Sequence, residues 1–401
     1  MKKTESYLTS SLIPRALKSR LKLIQTCADQ EALHMYIVGG FVRDLLLRKV
    51  VWDMDIISLE DPSNILSTLP GKITRHARYM THTVAMSDGS HIDFAVTRKE
   101  TYPGPAALPV VSPGNLTDDL KRRDFTCNAV AIQLHGAQYG TLVDYFQGKE
   151  ALLNKQLKIF HDKSFIDDPT RIYRAARFMG RYNFKLEKNT ERMLQKALLD
   201  HMPARLSIPR LSNEFIKIIS ETNPQPALKL LRDWNALRFI HPKISSLDWK
   251  KISLPSRTLN VSLAWFLQDL SPELAEQILT DLCIERKVID TVTSILSAAR
   301  VLISKRSIHD NMLEELRNEL IYNIDFIKNI PGISTSVVSK LKNYRASKTA
   351  FLNGADLHAL GYVPGRYFGE ILRSLRREIW DGRVKKRQDA VSFVKRTFKK
   401  V

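Results

Sequence analysis

The sequence predicts an α+β protein: a small mixed β-sheet domain with helices at the N-terminal end, followed by a long all-α remainder. Three observations carry that prediction. Short apolar and β-branched runs, separated by Gly, Asp and Pro turns, crowd the first 150 residues. From Glu187 onward the pattern is almost wholly helical, and Pro203, Pro209, Pro224, Pro226, Pro242, Pro255, Pro272 and Pro331 cut it into helices of ordinary length. The chain has 401 residues, enough for roughly two to four domains.

In chain order, Arg15 to Leu33 carries Leu17, Leu21, Ile24 and Leu33 among Lys and Arg, an amphipathic helix expected to pack under a sheet. Ile37 and Val38 run into Gly39 and Gly40, which reads as a buried strand ending in a tight turn. Phe41 to Leu47 then starts a helix. Glycines at such a junction let backbone N–H groups approach an anion, and the helix N-terminus adds partial positive charge. Val50 to Ile57 reads as a second strand, whose alternation puts Asp53 and Asp55 on one face and Met54 on the other. Two carboxylates on one face repel unless a cation lies between them. Hard oxygen ligands completed by substrate phosphates are the usual setting of Mg²⁺. A bare Asp-x-Asp is common, and the neighbouring Gly-Gly turn is what gives this one weight.

A helix is expected over Pro62 to Leu69, then strands around Ile73–Arg75, His82–Ser87 and His91–Thr97, the last two joined by an Asp88-Gly89 hairpin turn. Asp93 falls on the face opposite Ile92 and Phe94. Residues 97–119 hold Pro103, Pro105, Pro109 and Pro113 with Gly104 and Gly114, and read as a long loop. LKRRDFTCNAVA, residues 120–131, sets Arg122, Arg123, Asp124 and Asn128 between hydrophobic strands, a density of polar groups that a core tolerates only when they are paired or bound. Val143-Asp144 and Gly148-Lys149 close this domain with a turn.

In DDPTRIYRAARF, residues 167–178, Asp168 precedes Pro169 at a helix start, so the carboxylates cap it. Arg171, Arg174 and Arg177 follow at three-residue steps, and the apolar rest of the helix turns them toward a cleft. His241 has no second ligand at i+4 and reads as structural. Near the end, Asn353-Gly354, Gly361, Pro364-Gly365 and Gly369 punctuate the chain before a strongly basic helix.

The formal charge is +20, from 62 Lys and Arg against 42 Asp and Glu, which points to a polyanionic partner. Residues 340–401 hold 16 basic and 5 acidic residues, a net of +11, so over half of the excess lies in the last sixth. Cys27, Cys127 and Cys283 show no C-x-x-C spacing, which fits buried thiols in a reducing compartment without structural zinc. No run of 18 apolar residues and no signal-peptide core is seen, so a cytoplasmic location is expected.

The strings GGFVRD with DMD, RRDFTCNA, and DDPTRIYRAARF together resemble the nucleotidyltransferase superfamily to which DNA polymerase beta belongs. More narrowly they resemble its class II branch, the tRNA CCA-adding enzymes and bacterial poly(A) polymerases. The resemblance covers essentially the whole chain. It implies a nucleotidyltransferase head over residues 1–150, a base-recognising neck over 151–215, a helical body over 216–305 and a basic helical tail over 306–401. The implied activity is template-independent addition of CCA, or only CC or only A, to tRNA 3′ ends from CTP and ATP. The alternative is poly(A) synthesis on RNA generally. A non-catalytic RNA-binding protein on a decayed scaffold is a third reading, opposed by the intact Asp53 and Asp55.

The same resemblance implies site residues. Asp53, Asp55 and Asp93 form the catalytic set, with Asp53 and Asp55 holding two Mg²⁺. Gly39, Gly40, Arg43, Asp44, Arg123 and Asp124 clamp the nucleotide, with Asn128 close by. Asp168 and Arg171 read the base edge, with Arg174 and Arg177 on the same helix. The tail grips the acceptor and T arms of tRNA, and Lys340, Lys342, Arg345, Arg366, Arg373, Arg376 and Arg377 are its expected RNA contacts. Asp167 stands where many relatives have glutamate. Residues 97–119 contain no clear acidic-x-x-Arg element, and the choice among CCA, CC and A addition stays open.

Overall fold

The structure, a computed structural model, describes residues 6–76, 81–86, 88–245, 258–304, 351–380 and 383–399, with the isolated positions 247 and 335. Strand β1 (Met35–Val38) is buried along its whole length because a hydrophobic layer covers each face of its sheet. On one face Ile37 packs with Leu17, Leu21 and Ile24 of helix α1 (Arg15–Gln30) and with Phe41 and Val42 of α2 (Gly40–Leu46). On the other, Tyr36 and Val38 meet Ile57, Leu116, Leu120 and Ala131. A strand covered on both faces has no polar side to show, hence the unbroken apolar run MYIV. The apolar stripe of α1 therefore lies under the sheet. Among the described residues no helix is long and apolar enough to cross a membrane.

The sheet also contains β2 (Met54–Ser58), β3 (Gly71–His76), β4 (Thr81–Met86), β5 (His91–Val96), β8 (Ala131–Gln133) and β9 (Leu142–Val143), in the order β3-β4-β5-β2-β1-β8-β9. β2 runs antiparallel to β1 and parallel to β5, which sets Asp55 directly opposite Asp93. The expected Asp88-Gly89 turn joins β4 to β5, with Gly89 at φ +82° and Asp88 accepting from the Ser90 N–H. A short helix, α3 (Ser63–Leu66), precedes β3.

Three expectations are corrected. The second strand begins at Met54 instead of Val50, because Val51 turns into the core while both Trp52 and Asp53 stay exposed, which breaks the alternation a strand needs. Residues 97–119 are not a plain loop: β6 (Arg98–Thr101) and β7 (Val110–Pro113) pair as an antiparallel hairpin, leaving Pro103, Pro105 and Pro109 in its connection. Pro113 pairs at the end of this two-stranded sheet, an edge position that proline tolerates. The segment Arg122–Asp124 lies between a helix, α4 (Leu116–Lys121), and a single 3-10 turn at Thr126–Asn128, and not between strands. Asn115 accepts from the Asp118 N–H and Asp118 from the Asn115 N–H, a reciprocal cap that starts α4.

Helix α5 (Gly148–Leu153) begins where Asp144 accepts from the N–H groups of Gly148 and Lys149. A Cβ on Gly148 would lie 2.3 Å from the Thr126 carbonyl oxygen, so only glycine fits. A parallel pair, β10 (Gln156–Leu157) and β11 (Lys185–Leu186), brackets α6 (Ser164–Asp167) and α7 (Thr170–Tyr182). From there helices dominate: α8 (Lys188–Leu199), α9 (Ile208–Ile219), α10 (Gln225–Asp233), α11 (Leu237–Ile240) and α12 (Pro242–Ser245). Pro209, Pro226 and Pro242 sit in first turns, as their missing N–H favours. His241 accepts from the Lys243 N–H at the start of α12, a structural role.

Contacts divide the chain into two units, Met1–Ser245 and Ser246–Val401. In the second, α13 (Leu259–Phe266), α14 (Pro272–Asp281) and α15 (Arg286–Ser304) pack together. The described part of its C-terminal end holds α16 (Gly354–Ala359), α17 (Arg366–Trp380) and α18 (Arg387–Thr397) around Leu357, Ile371, Leu375 and Val394. Cys27 and Cys127 are buried as expected, whereas Cys283 is exposed.

Candidate active site

The turn between β1 and α2 fixes the site. Gly39 adopts φ +70°, ψ −130°, a conformation essentially restricted to glycine. A Cβ there would come within 3.1 Å of Asp55 Oδ2 and 3.3 Å of Arg123 Nη1. The bare backbone therefore lets a carboxylate and a guanidinium converge on one point beside the turn.

Asp55 projects from β2 opposite the buried Met54, and Asp93 stands level with it on β5. Thr83, the cross-strand partner of Asp93 on β4, donates from its hydroxyl to Asp93 Oδ1 at 2.6 Å. Asp53 lies exposed just before β2. The Asp55 carboxyl is open at the mouth of the cleft yet ringed by protein, and its pKa lies above the usual carboxylate value. Desolvation is the main cause, Arg123 opposes it, and repulsion from Asp93 and Asp53 adds to it. Among the described residues no group of three or more His, Cys, Asp or Glu side chains is gathered to hold a metal by itself. The donors are nonetheless hard oxygens whose mutual repulsion a divalent cation would relieve, the setting that Mg²⁺ shares with substrate phosphates.

A cleft of about 330 Å³ opens beside these residues, within the span of about 300–1,000 Å³ usual for small-molecule sites. Of the residues expected to bind nucleotide, it is lined by Gly39, Gly40, Arg43, Arg123, Asp124, Asn128, Asp168, Arg171 and Arg174, together with Asp55. Asp53, Asp93, Asp44 and Arg177 are not among its lining residues.

The floor is a continuous polar chain. Arg43 donates to Asn128 Oδ1 at 3.0 Å, Asn128 donates to Asp124 Oδ1 at 2.8 Å, and Arg174 Nε donates to Asp124 Oδ2 at 2.8 Å. Burial works against the charge on Asp124, but Arg174, Asn128 and the Phe125 N–H outweigh it and hold this carboxyl below its ordinary range. Asp44 stands one layer back. It accepts from Arg43 Nε at 2.9 Å and from the Tyr182 hydroxyl at 3.0 Å, while Tyr182 and Phe178 stack on the Arg43 guanidinium. Arg177 lies over Phe178 and faces Glu214 and Glu221, each at 3.8 to 3.9 Å.

Asp119, wholly buried, organises the other wall. It accepts from Arg122 and from Arg123, the latter at 3.2 Å, and from the Arg98 N–H at the base of the hairpin. Burial lowers the Arg123 pKa, Asp119 opposing, and its Nε has no hydrogen-bond partner. An orphaned buried donor of this kind is what an anionic ligand would satisfy. Asp168 Oδ1 accepts from Thr170 N–H and hydroxyl and from Arg210, as its expected capping role requires. Arg171, only 4% exposed, donates to the Ser164 hydroxyl and the Arg122 carbonyl.

Sequence reading missed Glu100 and Tyr102, which the hairpin brings into the cleft, and gave Phe178 no role in it. Glu100 accepts from Arg122 and Arg98, and burial pushes the Tyr102 phenol up to about 12. Their signal was the pair of short extended runs, RKET and VVS, flanking the proline-rich connection. In the tail, Arg366, Arg373, Arg376 and Arg377 all belong to α17, with Arg373 exposed, whereas Lys340, Lys342 and Arg345 lie outside the described residues.

A small mixed sheet with a Gly-Gly turn, in-register carboxylates and an arginine-lined cleft defines a nucleotidyltransferase head. The comparisons agree. A family profile described as Poly A polymerase head domain matches residues 35–158, and one described as Probable RNA and SrmB- binding site of polymerase A matches residues 183–247. The A-adding tRNA nucleotidyltransferase of Halalkalibacterium halodurans is 30% identical over 98% of this chain and 97% of its own length. That of Geobacter sulfurreducens is 36% identical over 59% of this chain, and the match spans only 28% of that much longer relative. A solved CCA-adding enzyme in an apo form superposes with a TM-score of 0.66 at 26% identity, covering 98% of this chain and 97% of that one. The chain belongs to the tRNA nucleotidyltransferase family.

Proposed function

We propose that this protein is a template-independent tRNA 3′-terminal nucleotidyltransferase, adding CCA, or only CC or only A, from CTP and ATP with release of pyrophosphate. The observation that carries this is the meeting of Asp55 and Arg123 at Gly39, with Asp93 in register beside Asp55. Solved CCA-adding enzymes of similar fold, with TM-scores of 0.60 to 0.61, have been captured with tRNA, with CTP and with ATP, which supports both substrate classes.

In this reading the RNA 3′-hydroxyl attacks the α-phosphorus in line, and pyrophosphate leaves. Asp53, Asp55 and Asp93 would hold two Mg²⁺. Bound there, the ions would supply charge neutralisation at the attacking and leaving oxygens. The Gly39–Gly40 turn admits the triphosphate, Arg43 and Arg123 neutralise it, and Asp124 and Asn128 hold the ribose side. Asp168 and Arg171 choose the base, fixed in place by Arg210 and Ser164. The basic α17 region takes the acceptor and T arms, so residues 1–150, 151–215, 216–305 and 306–401 act as head, neck, body and tail. The reaction belongs in the cytoplasm.

The test is incubation with ATP and CTP of tRNA transcripts ending before CCA, transcripts ending after CC, and RNA without a tRNA fold. Extension confined to tRNA supports the reading and shows which residues are added. Long adenylate tails on unstructured RNA would establish a poly(A) polymerase instead.

A further inference from the structure

Residues 47–53 connect α2 to β2, running from the nucleotide cradle directly to the carboxylates. Within this connection Val51 is buried, while Arg48, Lys49, Val50 and Trp52 are exposed. Trp52 is 67% exposed and Val50 53%, in contrast to Trp265 at 1%. Tryptophan is highly buried on average, so one this open beside a catalytic carboxylate calls for a partner. Neither Trp52 nor Val50 lines the nucleotide cleft.

Arg48 has φ +57°, the left-handed conformation in which a helix most readily ends on glycine. The residue at this turn is a cation, exposed beside Lys49. Lys49 Nζ lies 4.3 Å from the centroid of Tyr182, whose ring also covers Arg43 and whose hydroxyl donates to Asp44 Oδ1. The segment is thus braced against the outer side of the cradle. An exposed aromatic among cations is how proteins grip single-stranded nucleic acid, with charge on the phosphates and the ring on a base.

We propose that Arg48, Lys49 and Trp52 form a contact for the single-stranded 3′ end of the acceptor RNA, with Trp52 stacking on a base next to the attacking hydroxyl. The chemistry fits one occupant, because the reacting 3′-oxygen must arrive at Asp53 and Asp55, and Trp52 directly precedes Asp53, with consecutive Cα atoms about 3.8 Å apart. This proposal rests on the transferase reading and deepens it.

The test uses full-length protein and a fluorescently labelled acceptor-stem RNA with a single-stranded 3′ tail, read by anisotropy beside steady-state kinetics. Trp52→Ala is expected to weaken RNA binding about ten-fold and to raise the KM for RNA, leaving the KM for ATP unchanged, whereas Trp52→Phe restores most of the affinity. Arg48→Gly suits the backbone, so it keeps or raises stability while weakening RNA binding and flattening the salt dependence by about 0.7 in log–log slope. A blunt-ended stem should bind all variants alike. Wild-type affinity for the tailed RNA in both Trp52→Ala and Arg48→Gly would overturn the proposal, as would equal losses on the blunt stem. A wild-type protein that binds tailed RNA through Trp52 yet transfers no nucleotide would sink the transferase reading and leave the contact standing.

Discussion

Asp55 and Asp93 face each other as in-register partners on parallel strands, and the Thr83 hydroxyl fixes Asp93 from the next strand. Exchanging either carboxylate for the isosteric amide should remove metal-dependent transition-state stabilisation of several kcal/mol, about a thousand-fold in kcat, with little change in the fold. Single-turnover transfer and circular dichroism on Asp55→Asn and Asp93→Asn check this. Full activity in either variant would exclude that residue from the catalytic set.

The raised Asp55 pKa carries a signed consequence. A group whose folded pKa exceeds its unfolded value adds stability below the unfolded pKa and loses it as pH rises through the folded one. In metal-free buffer the wild type should therefore lose stability relative to Asp55→Asn as pH climbs above the ordinary aspartate value of 3.8. Mg²⁺ should restore it. Urea unfolding of both proteins across that window, with and without the ion, measures the difference.

Asp124 behaves oppositely. Its depressed pKa contributes stability above the unfolded value that is lost as pH falls through the folded one. Arg174→Met would strand this buried carboxylate and should cost about 3–5 kcal/mol in denaturant unfolding near neutrality. Removing both charges, as Asp124→Asn with Arg174→Met, should recover much of the loss. An Arg174→Met protein as stable as wild type would show the pair to be energetically idle.

Gly39→Ala should damage function beyond its effect on stability. The glycine-only backbone conformation costs roughly 1–3 kcal/mol with any other residue, and the added Cβ presses on Asp55 Oδ2 at 3.1 Å. Thermal unfolding compared with kcat separates the two effects.

Much of this site was legible because its parts are local patterns. Ile37-Val38-Gly39-Gly40 announces a strand and a turn by residue type alone, and Asp88-Gly89 announces its hairpin. Long-range pairing was hidden. Glu100 and Tyr102 enter the cleft only because Arg98–Thr101 pairs with Val110–Pro113, which the intervening prolines mask. Nothing local shows that Arg123 reaches the Gly39 turn. The arginine row also drifts: at 3.6 residues per turn each three-residue step rotates by about 60°, so Arg171 and Arg174 line the cleft while Arg177 turns to Glu214 and Glu221.

Arg210 and Ser164 hold Asp168 and Arg171 in place, the two residues proposed to choose the base. Asp168→Ala should therefore erode the ratio of kcat/KM for the preferred over the other triphosphate by about ten-fold or more, with a smaller change in kcat for the preferred one. Paired ATP and CTP kinetics read this directly. An unchanged ratio would move base selection elsewhere in the cleft.

The most direct measurement of the central claim is extension of a tRNA transcript lacking its 3′ terminus by the wild-type protein and by Asp55→Asn, with Mg²⁺, ATP and CTP, at single-nucleotide resolution. The wild type should add a few defined residues, releasing one pyrophosphate for each, and Asp55→Asn should extend the same transcript about a thousand-fold more slowly. Failure of the wild type to extend tRNA, or equal extension by Asp55→Asn, would contradict the claim.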